Sequence, residues 1–207
     1  MVKLRYLTLV ILSIAASAIL VGSGYAVQTK TPKSQMVHSK QTKPAITATD
    51  HKFVEDTAMG NMAEVKLGEL AKQKGSTTEV KNFGQRMIDD HTKANDSLKQ
   101  LAVQKSITFP GDVSATDKAT YDRLSKLSGR AFDRAYLDEM VKGHEKVAAS
   151  LRHEESVGKD PDVKSWASKT LPTVEEHLKM ARTDYGHTTT TSKKHRPMRK
   201  ISKHVVK

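Results

Sequence analysis

The apolar positions of this chain recur at helical spacing in four long stretches, and near the middle of each stretch a titratable residue interrupts the apolar face. Around Arg86 to Asn95 the pattern is clearest: Val80, Phe83, Met87, His91, Ala94, Leu98 and Leu101 share one face at about 100° per residue, with His91 near its centre. Glu64 takes the matching place among Phe53, Val54, Gly60, Leu67 and Ala71. His144 does so among Leu137, Met140, Val147 and Leu151, and His177 among Val163, Trp166, Thr170, Val174, Leu178 and Ala181. The four stripes predict four helices packed around one polar layer.

Local punctuation sets the boundaries. Helix one is expected from Thr49 or Asp50, either able to cap, to Lys74, with Gly75 as the stop. Gly60 inside it costs about 1 kcal/mol against alanine, which points to a close helix approach there. Ser76-Thr77-Thr78-Glu79 has the spacing of a capping box and opens helix two, which runs to about Lys105. The short connection at Gly75-Ser76 makes these two helices antiparallel neighbours. Phe109-Pro110-Gly111 then breaks the pattern, and a shorter helix from Ser114 to Leu127, capped by Ser114, is expected to cross one end of the bundle. Helix three spans Arg130 to Val157 and stops at Gly158. Asp160-Pro161 starts helix four, which continues to about Tyr185 with a kink at Pro172. The expected fold class is all-α: an up-down four-helix bundle over residues 50–185 with a short extra helix between helices two and three.

The formal charge of +12 suggests a nucleic-acid binder until it is divided along the chain. Between Asp50 and Asp184 there are 23 acids against 22 Lys and Arg, so the basicity belongs to the flanks and nucleic-acid binding by the bundle is disfavoured. Residues 1–26 carry Lys3 and Arg5, an apolar run from Tyr6 to Val21, and small residues at Gly24 and Ala26, the three parts of a secretory signal cut after Ala26. The alternative for the same run is an uncleaved N-terminal anchor. Either places the bundle outside the cytoplasm, in the periplasm or envelope. Residues 27–49 read as a flexible linker and residues 186–207 as a disordered basic tail with seven Lys and Arg and no acid, suited to an anionic membrane surface or a polyanion. With no cysteine in the chain, disulfides, thiolate metal sites, a catalytic thiol and a lipoprotein anchor are excluded.

The segments FVEDTAMGNMAEVKLGELA, FGQRMIDDHTKAN, LSGRAFDRAYLDEMVKGHEK and KTLPTVEEHLKMA resemble a family of bacterial envelope proteins known as domain of unknown function 4142, grouped with ferritin-like folds. The resemblance covers about Asp50 to Asp184. It implies a ferritin-like four-helix bundle, usually exported, and carries no established activity or cofactor. Di-iron ferritin-like centres use Glu-x-x-His on two helices. Here the residues three before His91, His144 and His177 are Ile88, Val141 and Val174, which disfavours a ferroxidase-type centre.

Counting from the turns places Glu64 about 11 residues before the first and His91 about 16 after it, with His144 about 15 before the turn near Lys159 and His177 about 18 after. The offsets are worth roughly 7 and 5 Å at 1.5 Å per residue, close enough for the four side chains to meet. One carboxylate and three imidazoles suit a single zinc, iron, manganese or copper ion at Glu64, His91, His144 and His177. The same residues also suit a metal-free network in which each buried histidine hydrogen-bonds to Glu64, to a neighbour or to water. Asp90, Glu145 and Glu176, each beside a histidine, are surface partners or orienters of the rings, while Met87, Met140 and Met180 read as core filler. No Ser-His-Asp order, phosphate-binding glycine loop or nucleophile elbow stands out, so no catalytic residue is assigned. The residues favour an exported, non-enzymatic envelope bundle with a binding or stress-related role. The alternative is a metal-binding or redox protein working at a mononuclear Glu/His3 layer.

Overall fold

Thr47, Thr77 and Ser114 each turn a side-chain oxygen onto the backbone N–H three residues on, and a helix starts after each. The structure, a computed structural model, describes the backbone of residues 46–194 and the side chains of residues 46–188. The described residues form five helices and no strand: α1 Ala48–Lys74, α2 Thr78–Lys105, α3 Ala115–Ser125, α4 Gly129–Val157 and α5 Pro161–Lys194. The signal or anchor expected over residues 1–26, nearly all of the linker and the last thirteen residues of the basic tail lie outside the described residues. No described helix is long and apolar enough to cross a membrane.

The molecule is a helical bundle in which α1 lies along α2 and α4 along α5, with further contacts of α2 with α5 and α1 with α4. Two glycines let α1 and α2 approach closely. A Cβ on Gly68 would stand 2.6 Å from the Gly84 carbonyl oxygen, and a Cβ on Gly84 would stand 2.8 Å from the Gly68 carbonyl oxygen and from the Ala71 Cβ. Gly60, where the sequence suggested the close approach, faces open space: a Cβ there meets nothing within 4 Å. All three glycines sit inside helices and cost helix propensity, but only Gly68 and Gly84 allow a close approach in return.

The apolar interior is in two parts. One gathers Phe53, Val54, Leu98, Leu151, Val163 and Trp166; the other gathers Leu67, Val80, Phe83, Met87, Leu137 and Met140. Met87 and Met140 are core filler, as their spacing suggested. Neither part contains His91, His144 or His177, which are nonetheless buried.

Three boundaries differ from the sequence reading. The cap of α1 is Thr47, because Asp50 is fully buried and its carboxylate instead accepts from the backbone N–H of Lys159 and Asp160, both at 3.0 Å. The cap of α2 is Thr77 and not Ser76, because Ser76 gives both its N–H and its hydroxyl to the buried Asp133 carboxylate on α4. The last helix passes Tyr185 and runs to Lys194, so residues 186–194 are helical and not part of a disordered tail. The glycines that do end helices, Gly75 and Gly158, leave the helical backbone through ψ of 133° and 150°. Gly186 stays within the helix, and the backbone ladder passes through it. Pro172 lies inside α5 on its exposed side, where the carbonyl it leaves without a donor can reach water.

Candidate metal centre

Three long helices each contribute a histidine to one level of the bundle: His91 from α2, His144 from α4 and His177 from α5. The ring centroids stand 5.7 Å apart for His91 and His144, and 5.4 Å apart for each of the other two pairs. One nitrogen from each ring lies within 4.8 Å of the others. Even at that upper bound, a point equidistant from the three nitrogens is about 2.8 Å from each, so inward shifts of roughly 0.7 Å would reach the 2.0–2.1 Å typical of zinc–imidazole bonds.

The outward nitrogens decide the chemistry of the inward ones. His144 Nδ1 lies 2.9 Å from the Met140 carbonyl oxygen, His91 Nδ1 lies 2.9 Å from Asn61 Oδ1, and His177 Nε2 lies 3.0 Å from Asp90 Oδ2. Each partner is an acceptor, so each of these nitrogens carries the hydrogen and donates it outward. In a neutral imidazole the other nitrogen is then a bare lone pair. Those three atoms, His91 Nε2, His144 Nε2 and His177 Nδ1, are buried and have no hydrogen-bond partner. Each of the three rings, which meet at one level, therefore offers one buried acceptor, with no donor among them.

The rings are neutral for physical reasons. Burial pushes all three below the ordinary histidine value, His144 to about 4 and His91 well below, and the neighbouring histidines add repulsion against a charge on either. Burial also lowers His177, although the Asp90 carboxylate pulls the other way. Asp90 is pushed up by burial, but hydrogen bonds from His177 and Arg86 outweigh that and hold it below the usual carboxylate range. It is therefore a charged acceptor, ion-paired with Arg86 on its outer side.

Glu64, expected as a fourth ligand, is not in the three-nitrogen group. Its Oε1 is 3.9 Å from His144 Nδ1, the outward nitrogen, while its Oε2 is buried without a partner. Burial pushes its carboxyl up to about 8, with Asp117 and Glu139 adding to the shift. The α1 residue that meets His91 is Asn61, one helical turn earlier, which the sequence reading missed. Its signal was present in the register: at 14 residues before the first turn it is closer to level with His91 than Glu64 is. Of the other acids beside the histidines, Glu145 pairs with Arg182 at 2.7 Å and Glu176 with Arg86 at 3.4 Å, both at the surface. Only Asp90 among these three turns to a ring.

Known proteins place the chain by fold and family. A crystal structure of a DUF305 fragment from Deinococcus radiodurans superposes with a TM-score of 0.62 at 14% sequence identity, covering 70% of this chain and 99% of that one. At that identity the likeness shows the shared helical fold. No curated protein matches. The family model described as Domain of unknown function (DUF4142) matches residues 35–183, and the chain belongs to that family.

Proposed function

We propose that this protein binds one transition-metal ion at His91, His144 and His177, within a ferritin-like up-down four-helix arrangement, and that this binding is its biochemical role. The observation that carries the reading is the convergence of three buried lone pairs whose ring hydrogens are all committed outward to a carbonyl, an amide and a carboxylate. Leaving a buried polar atom unsatisfied costs about 1–3 kcal/mol. Three facing each other add mutual repulsion, and one cation relieves all of it. Histidines that ligate metals donate their second nitrogen to such an outer acceptor, which fixes the tautomer and the ring orientation.

The donor set selects among metals. Neutral imidazole suits zinc, copper, iron and nickel, whereas magnesium, calcium and manganese favour oxygen ligands. With no carboxylate in the three-nitrogen group, manganese, one of the ions the sequence admitted, fits least well. Zinc or copper binding is the best match to the geometry. Export to the envelope, from the leader of residues 1–26, and an anionic-surface contact through the basic C-terminus complete the proposal as its setting.

Thermal unfolding with each metal tests the reading. A ligand held only by the native state stabilises it by about 2.7 kcal/mol at a hundred times its Kd. Zinc or cupric ion should raise the melting temperature of the wild type and leave that of the His144→Ala variant unmoved. Equal shifts in both proteins, or none in either, would refute it.

A further inference from the structure

A cleft of about 210 Å³ opens between α1 and α4 and reaches His91. Its lining includes Gly60, Asn61, Glu64, His91, Val147 and Leu151. Two of these residues are otherwise unexplained. Gly60 pays a helix-propensity cost of about 1 kcal/mol for no packing gain, since a Cβ there would meet nothing within 4 Å. Glu64 keeps a buried carboxylate oxygen without a partner. Both line the same cleft, as does His91, one of the three histidines.

We infer that this cleft is the route and seat of a small protic ligand that completes the metal's coordination, with Glu64 Oε2 as the acceptor of that ligand's hydrogen. The inference rests on the metal-binding reading above and adds the ligand class to it. Three histidines supply three of the four positions of a tetrahedral ion, and sites with three protein ligands keep the fourth for water or another exogenous group. Glu64 is placed to serve that group and not to replace it, since its Oε1 lies beside the outward nitrogen of His144 and neither oxygen belongs to the converging set. Burial alone keeps the Glu64 carboxyl protonated up to about 8, but a cation bound beside it would favour the ionised form, and a carboxylate beside the open position then favours a molecule that brings its own hydrogen, such as water, an alcohol or an amine-type base, over a bare anion. Val147 and Leu151 give the passage apolar walls, and Gly60 keeps it unobstructed. A side chain at position 60 would extend into the cleft without disturbing a packed neighbour.

The test uses the full chain loaded with cupric ion as a paramagnetic probe, with water as the ligand. Water-proton relaxivity measures exchange of solvent at the metal, and electron paramagnetic resonance counts the nitrogen ligands. The wild type should show three nitrogens and the raised relaxivity of an exchangeable inner-sphere water. Gly60→Leu should keep one copper and three nitrogens while relaxivity falls to the level of outer-sphere water. Glu64→Leu should keep the three nitrogens and weaken retention of the water. Outer-sphere relaxivity in the wild type that rises on Glu64→Leu would show Glu64 itself filling the position and overturn the inference, as would unchanged relaxivity in Gly60→Leu. Failure of the wild type to bind copper or zinc at all would instead refute the metal-binding reading.

Discussion

His177 donates its Nε2 hydrogen to Asp90 Oδ2 at 3.0 Å, and this bond leaves Nδ1 as the buried, unpartnered lone pair of a ring that stands 5.4 Å from both His91 and His144. Asp90 is on α2, 87 residues away in the chain, and is itself held by Arg86 one turn earlier. Removing it frees the ring to rotate and to change tautomer. Asp90→Ala should weaken metal affinity by roughly 10–100-fold, the usual effect of losing such an outer partner, while helix content stays unchanged. Glu145→Ala, which breaks an exposed pair with Arg182, is the control and should leave affinity unaltered. Isothermal titration of the two variants checks the contrast.

The glycines separate close packing from open space. Alanine at Gly68 or Gly84 forces a Cβ against a backbone carbonyl at 2.6 or 2.8 Å, so each should destabilise the protein by roughly 1–3 kcal/mol. Alanine at Gly60 meets nothing and gains helix propensity, so it should stabilise by up to about 1 kcal/mol. Urea unfolding of the three variants reads both signs in one series.

A buried acid pair at the α1–α4 end gives stability a definite pH dependence. Burial and the neighbouring Asp50 push Glu154 up to about 7, while Lys164 opposes and Asp160 adds to the shift. Burial would raise Asp50 too, but hydrogen bonds from the Lys159 and Asp160 backbone, from Thr47 and from Glu154 hold it lower than usual. Glu154 is thus the protonated donor and Asp50 the charged acceptor. The native state keeps a proton on Glu154 that the unfolded chain releases near 4.5. Its contribution is therefore complete below about 4.5, declines as pH rises toward 7 and stays lost above, by an amount on the order of 1–3 kcal/mol. Asp50 works in the opposite sense, its contribution being lost as pH falls below about 3.8. Glu64, raised to about 8, and the three histidines, lowered by burial, titrate alike in parent and variant, so the gap in melting temperature between the parent and Glu154→Gln isolates the Glu154 contribution and should shrink between pH 5 and 7.

The basic C-terminus should act by charge alone. Deleting residues 195–207 removes Arg196, Arg199, Lys200, Lys203 and Lys207 and leaves α5 whole. Binding to vesicles of anionic lipid should weaken and lose much of its salt dependence, and thermal unfolding should not move. Sedimentation with vesicles at two salt concentrations measures this. Undiminished binding by the shortened protein at low salt would contradict the proposed surface contact.

Periodicity made the helices readable because each buries one face, and a 3.6-residue repeat records that face whatever it packs against. His91, His144 and His177 were visible for the same reason, as titratable groups on apolar stripes. The partners that give those rings their direction were harder to see. Asn61 meets His91 across 30 residues and Asp90 meets His177 across 87, and no local pattern encodes such a pairing. Glu64 lies on the expected face but outside the three-nitrogen group, and the residue one turn away, Asn61, is the one that reaches His91. The caps show the same limit. Ser76 satisfies the capping-box spacing yet is drawn to Asp133, a residue 57 positions later, and the neighbouring Thr77 takes the cap. Gly186 has the composition of a stop, but a glycine stops a helix only where the chain turns away, as at Gly75 and Gly158 with ψ of 133° and 150°, and α5 runs on through Gly186.

Metal content tests the central claim most directly. Protein purified without chelators and without a polyhistidine tag, then equilibrated with zinc and desalted, should carry one metal per chain by elemental analysis. The variants His91→Ala, His144→Ala and His177→Ala should each carry close to none while circular dichroism shows the helices intact. A wild type that retains no zinc, copper or ferrous ion after the same treatment, or three folded variants that retain as much metal as the wild type, would contradict the account.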